Sequence, residues 1–239
     1  MLNRYIADTQ DLLNDTAGQF FTLPRMIRNI NRSRRRIAAM SGVLRVVPTG
    51  VITIANQEAY PLTMFDPMVQ VQMPGVETSL FCRTISIGIG GKWENGQIVG
   101  GSWKPTWRRI PWTSFQSRFR LYGGTFIGTI SDPGWWAQLG VGQLGKIYLA
   151  PIPTQFQPME LDLTCIPYEL RTDNDPEPLV YPWTDAVPYW AAVYCLLQQQ
   201  RPQDAKVMAE LFAADMPMCA AVVCPQFVAA PYGANLLSA

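Results

Sequence analysis

The segment Gly140-Val141-Gly142-Gln143-Leu144-Gly145 has the G-x-G-x-x-G spacing of a dinucleotide-binding turn, with Asp162 at a suitable distance downstream. Adding Lys146 also satisfies phosphate-loop spacing. Such a loop works by aiming the N–H groups of a helix N-terminus at a phosphate, so a strand must precede the glycines and a helix must follow them. Here Lys146-Ile147-Tyr148-Leu149 reads as a strand that runs into Ala150-Pro151-Ile152-Pro153, which cannot be helical. Ile147 stands where the magnesium-binding hydroxyl belongs. The expectation is a glycine-rich hairpin, with no nucleotide cofactor. Asp173-Asn174-Asp175-Pro176-Glu177 offers oxygen ligands of the kind calcium takes. An EF-hand loop needs Gly at its sixth position and Glu at its twelfth, and these are Pro178 and Thr184. A solvated turn is expected there.

Histidine is absent, which excludes Ser-His-Asp and Cys-His nucleophilic sites, imidazole proton shuttles and His-ligated metals. The five cysteines (Cys82, Cys165, Cys195, Cys219 and Cys224) form no Cys-x-x-Cys pair and read as reduced core or interface thiols. No carboxylate pair stands out as a hydrolase dyad. No catalytic residue, metal or cofactor is assigned, and the chain is read as a non-enzyme.

What remains is charge and its distribution. Charged residues make up 15% of the 239 residues, well below the usual fraction of about a quarter. So uncharged a surface suits a chain largely covered by partners. The net charge of +1 hides segregation. Arg25, Arg28, Arg32, Arg34, Arg35, Arg36 and Arg45 form a run without an acidic residue, whereas Glu160–Asp185 holds seven acidic residues and one basic, Arg171. The arginines could form a solvated helix face, bind nucleic-acid phosphates without sequence preference, or pair with acidic residues of a neighbouring copy. For that last case the counterparts are Glu169, Asp173, Asp175, Glu177 and Asp185. The two patches could also neutralise each other within one subunit.

The elements that must position these residues follow from periodicity. Residues 1–41 read as two helices: Ile6, Thr9, Leu12 and Leu13 share a face of the first, which Asp15–Gly18 ends. The second has Thr22 as N-cap, Pro24 in its first turn, an apolar stripe of Met26, Ile27, Ile30 and Ile37, and Gly42 as its stop. From Val43 to Ile166 the period falls to two, with short strands expected at Val51–Ile54, Val69–Val71, Thr84–Ile87, Lys146–Leu149 and Glu160–Thr164. Trp93, Trp103, Trp107 and Trp112 fall in a poorly periodic stretch read as long loops. Helical periodicity returns from Trp183, with Thr184 or Asp185 as cap and Val187, Trp190, Ala191, Tyr194 and Leu197 on the apolar side. Arg201-Pro202 breaks that helix. A last one carries Ala205, Met208, Leu211 and Phe212 as far as Pro217, and an apolar tail punctuated by Pro225, Pro231 and Gly233 follows. No run approaches the ~20 apolar residues of a membrane span, and Arg4, Asp8 and Asp11 interrupt any leader-like start. The fold class is α+β: N- and C-terminal helix pairs, an inserted antiparallel β-sandwich or barrel, and an extended C-terminal tail. The divisions fall at 1–42, 43–167, 168–218 and 219–239.

In this order, Ile147–Pro153, Met159–Pro167 and YPWTDAVPYWAAVYCLLQQQRPQDAKVMAELF, with Leu12-Leu13-Asn14-Asp15 and Ile30-Asn31 upstream, resemble the head-to-tail adaptor (connector) proteins of tailed bacteriophages, of the tail tubular protein A kind. The likeness covers residues 1–41 and 145–218. It implies a virion structural protein made in the host cytoplasm and located at the head–tail junction. There a ring, typically a dodecamer, extends the DNA channel beneath the portal and carries the tail or nozzle. It further implies that the helices form the ring, the β-domain faces the tail and the C-terminal segment docks on the portal, with Phe227, Tyr232, Leu236 and Leu237 as anchors. Trp93, Trp103, Trp107 and Trp112 become tail-side contacts, a core role being equally open to each. Genomic DNA would pass non-specifically along the arginines of the channel. A nozzle subunit, a head-decoration subunit and a tail-associated hydrolase are the alternatives.

Overall fold

Residues 1–15, 18–89, 92–94, 97–99, 107–121, 125–126, 134–154 and 156–223 are described in a computed structural model of the chain. In chain order the elements are α1 (Leu2–Leu13), α2 (Leu23–Ser41), β1 (Arg45–Val46), β2 (Ala59–Pro61), α3 (Asp66–Gln72), β3 (Val76–Ile89), β4 (Lys92–Glu94), β5 (Gln97–Val99), β6 (Arg108–Arg109), α4 (Trp112–Phe119), β7 (Arg120–Leu121), β8 (Thr125–Phe126), β9 (Trp135–Leu139), β10 (Lys146–Ala150), β11 (Met159–Pro167), α5 (Trp183–Gln198) and α6 (Pro202–Val223). The class is α+β. Two units divide the chain: residues 1–43 join those from 169 onward, and residues 44–168 form the second unit.

The helical unit is built on α5, which packs against α1, α2 and α6. Helix α2 begins at Thr22 with Pro24 in its first turn and stops at Gly42, which takes the left-handed conformation at φ 62° and returns its N–H to Ala38. Its buried stripe holds Met26, Ile30 and Ile37, each worth about 1.5–3 kcal/mol of apolar burial. On α1 the buried residues are Leu2, Tyr5 and Thr9, while Ile6, Leu12 and Leu13 are only partly covered. Helix α5 starts at Trp183, one residue before the expected cap, and its Asp185 sits in the first turn where a negative charge suits the helix dipole. Leu197 and Leu211 are exposed rather than on the inner faces.

Helix α6 runs through Pro217 to Val223, so the division at 219 and the helix end at Pro217 are corrected. A proline inside a helix removes one backbone donor, and the buried Cys219 shows that the next turn still packs. The expected extended segment lies, from residue 224 onward, outside the described residues.

Tyr5 is buried, and desolvation first, then the nearby Glu177 carboxylate, push its phenol well above the usual tyrosine range. The fold therefore accepts the neutral phenol. The resulting stabilisation is complete below the unfolded value of about 10 and is lost as the pH rises past it. Tyr5→Phe is expected to hold its helical circular dichroism to a higher pH than the parent chain. Identical alkaline midpoints would remove Tyr5 from the account.

In the inserted unit, β11 lies between β1 and β3, both antiparallel to it. Its inward residues Met159, Leu161, Leu163 and Cys165 alternate with Glu160, Asp162, Thr164 and Ile166, as the period of two requires. The second sheet has the order β2-β10-β9-β6, in which β6 runs parallel to β9 and the other pairs are antiparallel. Strands β4 with β5, and β7 with β8, form two short ribbons. Two strand expectations are corrected. Val69–Val71 belongs to α3, whose first turn contains Pro67, and Val51–Ile54 contributes a single bridge, Ile52 to Pro158. The core on the second sheet is aromatic: Trp112 stacks with Phe115 at 5.8 Å between ring centroids and meets Tyr148 at 4.4 Å.

Candidate functional site

The arginines of α2 fall into two rows because 3.6 residues make a turn. Arg34 lies four residues after Ile30 and three before Ile37, within the apolar stripe, and is fully buried. Its Nε and Nη2 donate to the two carboxylate oxygens of Glu177 at 2.7 and 2.9 Å, a bidentate pair, and its Nη1 donates to Asn31 Oδ1 at 3.0 Å. Asn31 also clasps the backbone of Leu170, donating to its carbonyl at 2.9 Å and accepting its N–H at 2.8 Å. Arg35 Nη2 donates to Glu169 at 2.9 Å, half exposed. Both partners belong to the same chain. Of the alternatives left open by the sequence, Arg34 and Arg35 follow neutralisation within one subunit, and for the buried Arg34 guanidinium a local counter-charge is required.

The other acidic counterparts are engaged as well. Asp173 accepts from the Met1 ammonium at 2.5 Å and the Asn3 N–H at 3.0 Å, bonds that hold its carboxyl below the usual range. Asp175 accepts the N–H groups of Arg171 and Thr172, also lowering its pKa, and so forms the expected turn rather than a cation loop. Asp185 accepts from Arg4 at 2.8 Å.

Arg25, Arg28, Arg32 and Arg36 make up the outer row, and all four are exposed. Arg25 donates to Gln198 Oε1 at 2.5 Å. The guanidinium carbons of Arg32 and Arg36 each stand 4.2 Å from a ring centroid, over Tyr194 and Trp190 of α5. Among the described residues no carboxylate pairs with any of the four. The sequence signal separating the rows was the heptad position of Arg34. The aromatic seats of Arg32 and Arg36 had no sequence signal, because they depend on how α5 crosses α2.

Two hollows complete the helical unit. One, of about 650 Å³, is lined by Asp8, Asp11, Asp185 and Asp215 with Arg4, which bridges Asp185 and Asp8. Cys219 in its wall has its thiol pKa raised by burial and then by Asp215 and Asp185, so the reactive thiolate is disfavoured. A second hollow, of about 510 Å³, has Phe20, Phe21, Leu196 and Val207 in its wall.

In the inserted unit the glycine segment forms the connection between β9 and β10, with Gly140 and Gly142 at φ +75° and +62° in a conformation that favours glycine. A single 3-10 turn, Gly142–Leu144, lies within the segment, and the strand β10 follows it where a phosphate loop would open an α-helix. Trp107 is buried, and Trp112 opens α4 and packs against Tyr148. Trp93 lies in β4, and Trp103 falls outside the described residues. The loop expectation is therefore corrected for Trp93 and Trp112. Phe227, Tyr232, Leu236 and Leu237 also lie outside the described residues. Cys165, Cys195 and Cys219 are buried.

The chain matches no protein-family model and no curated protein. Among the described residues no group of three metal-ligating side chains is assembled, and no helix is long and apolar enough to cross a membrane. Among the described residues, a row of exposed arginines is fixed on one helix.

Proposed function

We propose that this chain is a virion structural protein: a head-to-tail adaptor whose copies form a ring between portal and tail and prolong the DNA channel. The observation that carries the reading is the closure of helices from both ends of the chain into one unit, with the β-rich unit inserted between them. That is the arrangement the resemblance implies. In this reading the helical unit supplies the ring. The inserted unit, with its two sheets arranged as a sandwich, faces the tail or nozzle. The apolar segment beyond Val223, with Phe227, Tyr232, Leu236 and Leu237, docks on the portal as an extended tail, because aromatic and aliphatic anchors in partner pockets supply most of such binding energy. The low charge content agrees with a subunit covered on several sides.

The test is the native mass of the purified chain, alone and after mixing with portal rings of the same virus. The expected result is a 26.8 kDa species that converts to a portal complex carrying roughly twelve copies. A chain that stays monomeric beside the portal overturns the proposal and returns attention to nozzle and head-decoration roles.

A further inference from the structure

Between residues 25 and 36 the exposed side chains of α2 are four arginines and nothing else: Arg25, Arg28, Arg32 and Arg36. Steps of three, four and four residues put them in one row about 16 Å long at 1.5 Å rise per residue. The guanidinium carbons of Arg32 and Arg36 stand 4.2 Å from aromatic ring centroids, a contact that engages the charge through the ring face and needs none of the N–H donors as hydrogen-bond partners. The ring therefore fixes the position of the charge without consuming its hydrogen bonds. Arg28 has no partner among the described residues. No exposed apolar side chain lies between Arg25 and Arg36, where a protein–protein patch would need its central anchor; the exposed Leu23 and Met40 lie at the two ends of the helix.

We infer that this row is a sequence-independent binding surface for the phosphate backbone of duplex DNA. Duplex DNA carries one negative charge per about 1.7 Å of axis, so a straight cationic row finds phosphates at any register. Arginine forks grip phosphate oxygens bidentately, and with no donor of another kind in the row, base edges go unread. The choice of duplex DNA as the polyanion rests on the channel reading above. The row itself does not. It divides the six arginines by role: the buried Arg34 and its neighbour Arg35 hold the subunit together, and the other four face the ligand.

Fluorescence anisotropy of labelled duplexes of unrelated sequence, titrated with the full chain over a range of salt, tests the assignment. Equal affinity for all duplexes is expected, with log K falling against log salt at a slope of about −2 to −4, near −0.9 per phosphate neutralised. Arg28→Glu should bind about tenfold more weakly at low salt and lose roughly one unit of slope, while Arg28→Lys keeps the slope. Arg28 makes no contact the fold requires, so an unchanged thermal midpoint should accompany the loss. Unaltered affinity and slope in Arg28→Glu overturn the inference. Tighter binding of polyglutamate than of DNA overturns it in favour of an acidic protein partner. Portal capture without DNA binding would sink this inference alone, and DNA binding without portal capture would sink the adaptor reading alone.

Discussion

Replacing Arg34 with alanine is expected to lower the unfolding free energy of the helical unit by roughly 3–5 kcal/mol. The side chains of Arg34 and Glu177 are 0% and 7% exposed, so alanine would leave a carboxylate in the interior with no cation beside it. The Leu179 N–H at 3.1 Å and the neutral Tyr5 phenol beside Glu177 cannot replace two charge-assisted bonds. Whole-domain stabilities of about 5–15 kcal/mol make such a loss visible as a large shift in the denaturant midpoint. Removing both charges together, as Arg34→Met with Glu177→Leu, should recover most of the loss, since an apolar pair of similar volume often matches a buried ion pair. The neighbouring Arg35→Ala, whose partner is half exposed, should cost less than about 1 kcal/mol. An Arg34→Ala midpoint equal to that of Arg35→Ala would contradict the buried-pair account. Charge reversal at Arg34 would therefore report on folding before it reported on assembly.

Trp136→Ala should cost the inserted unit roughly 3–5 kcal/mol. Trp136 is fully buried on β9, between β10 and β6, and its indole N–H donates to the Trp107 carbonyl at 3.1 Å. Truncation removes both the ring volume and that bond, leaving a cavity lined by sheet residues that cannot collapse without shifting strand register. Denaturant unfolding read by near-ultraviolet circular dichroism measures it. A loss below about 1 kcal/mol would mean that the site refills, contrary to the packing described.

Sequence legibility followed the reach of each interaction. The bounds of α2 were readable because end signals are local: Thr22 stands at the N-cap position, though its side chain makes no cap bond, and Pro24 and Gly42 act within one turn of themselves. The alternation of β11 was readable because nine residues sample a period of two several times. Helix α3 has only seven residues, so Val69-Gln70-Val71 passed for alternation, and Pro67 at its first turn was the overlooked signal. Pro217 was taken as a stop because propensity counts the lost hydrogen bond but not the packing of Cys219 beyond it. The arginine cluster was visible, and helical spacing alone places Arg34 in the apolar stripe. Which carboxylate answers it was not readable, since Glu177 is brought there only by the tertiary fold. Nor was it readable that Tyr194 and Trp190 seat Arg32 and Arg36.

The Arg34–Glu177 bond joins residues 143 positions apart. At synthesis rates of about 5–20 residues per second, the arginine is made roughly 7–30 s before its carboxylate. Throughout that interval α2 offers Met26, Ile30 and Ile37 to the surroundings with nothing from α5 to cover them, while residues 44–168 are completed in full. The order of translation thus lets the inserted unit close first and keeps the helices unfinished until the last quarter of the chain arrives. The newborn stretch with most to gain from a holding chaperone is the one that carries both the apolar stripe and the arginines.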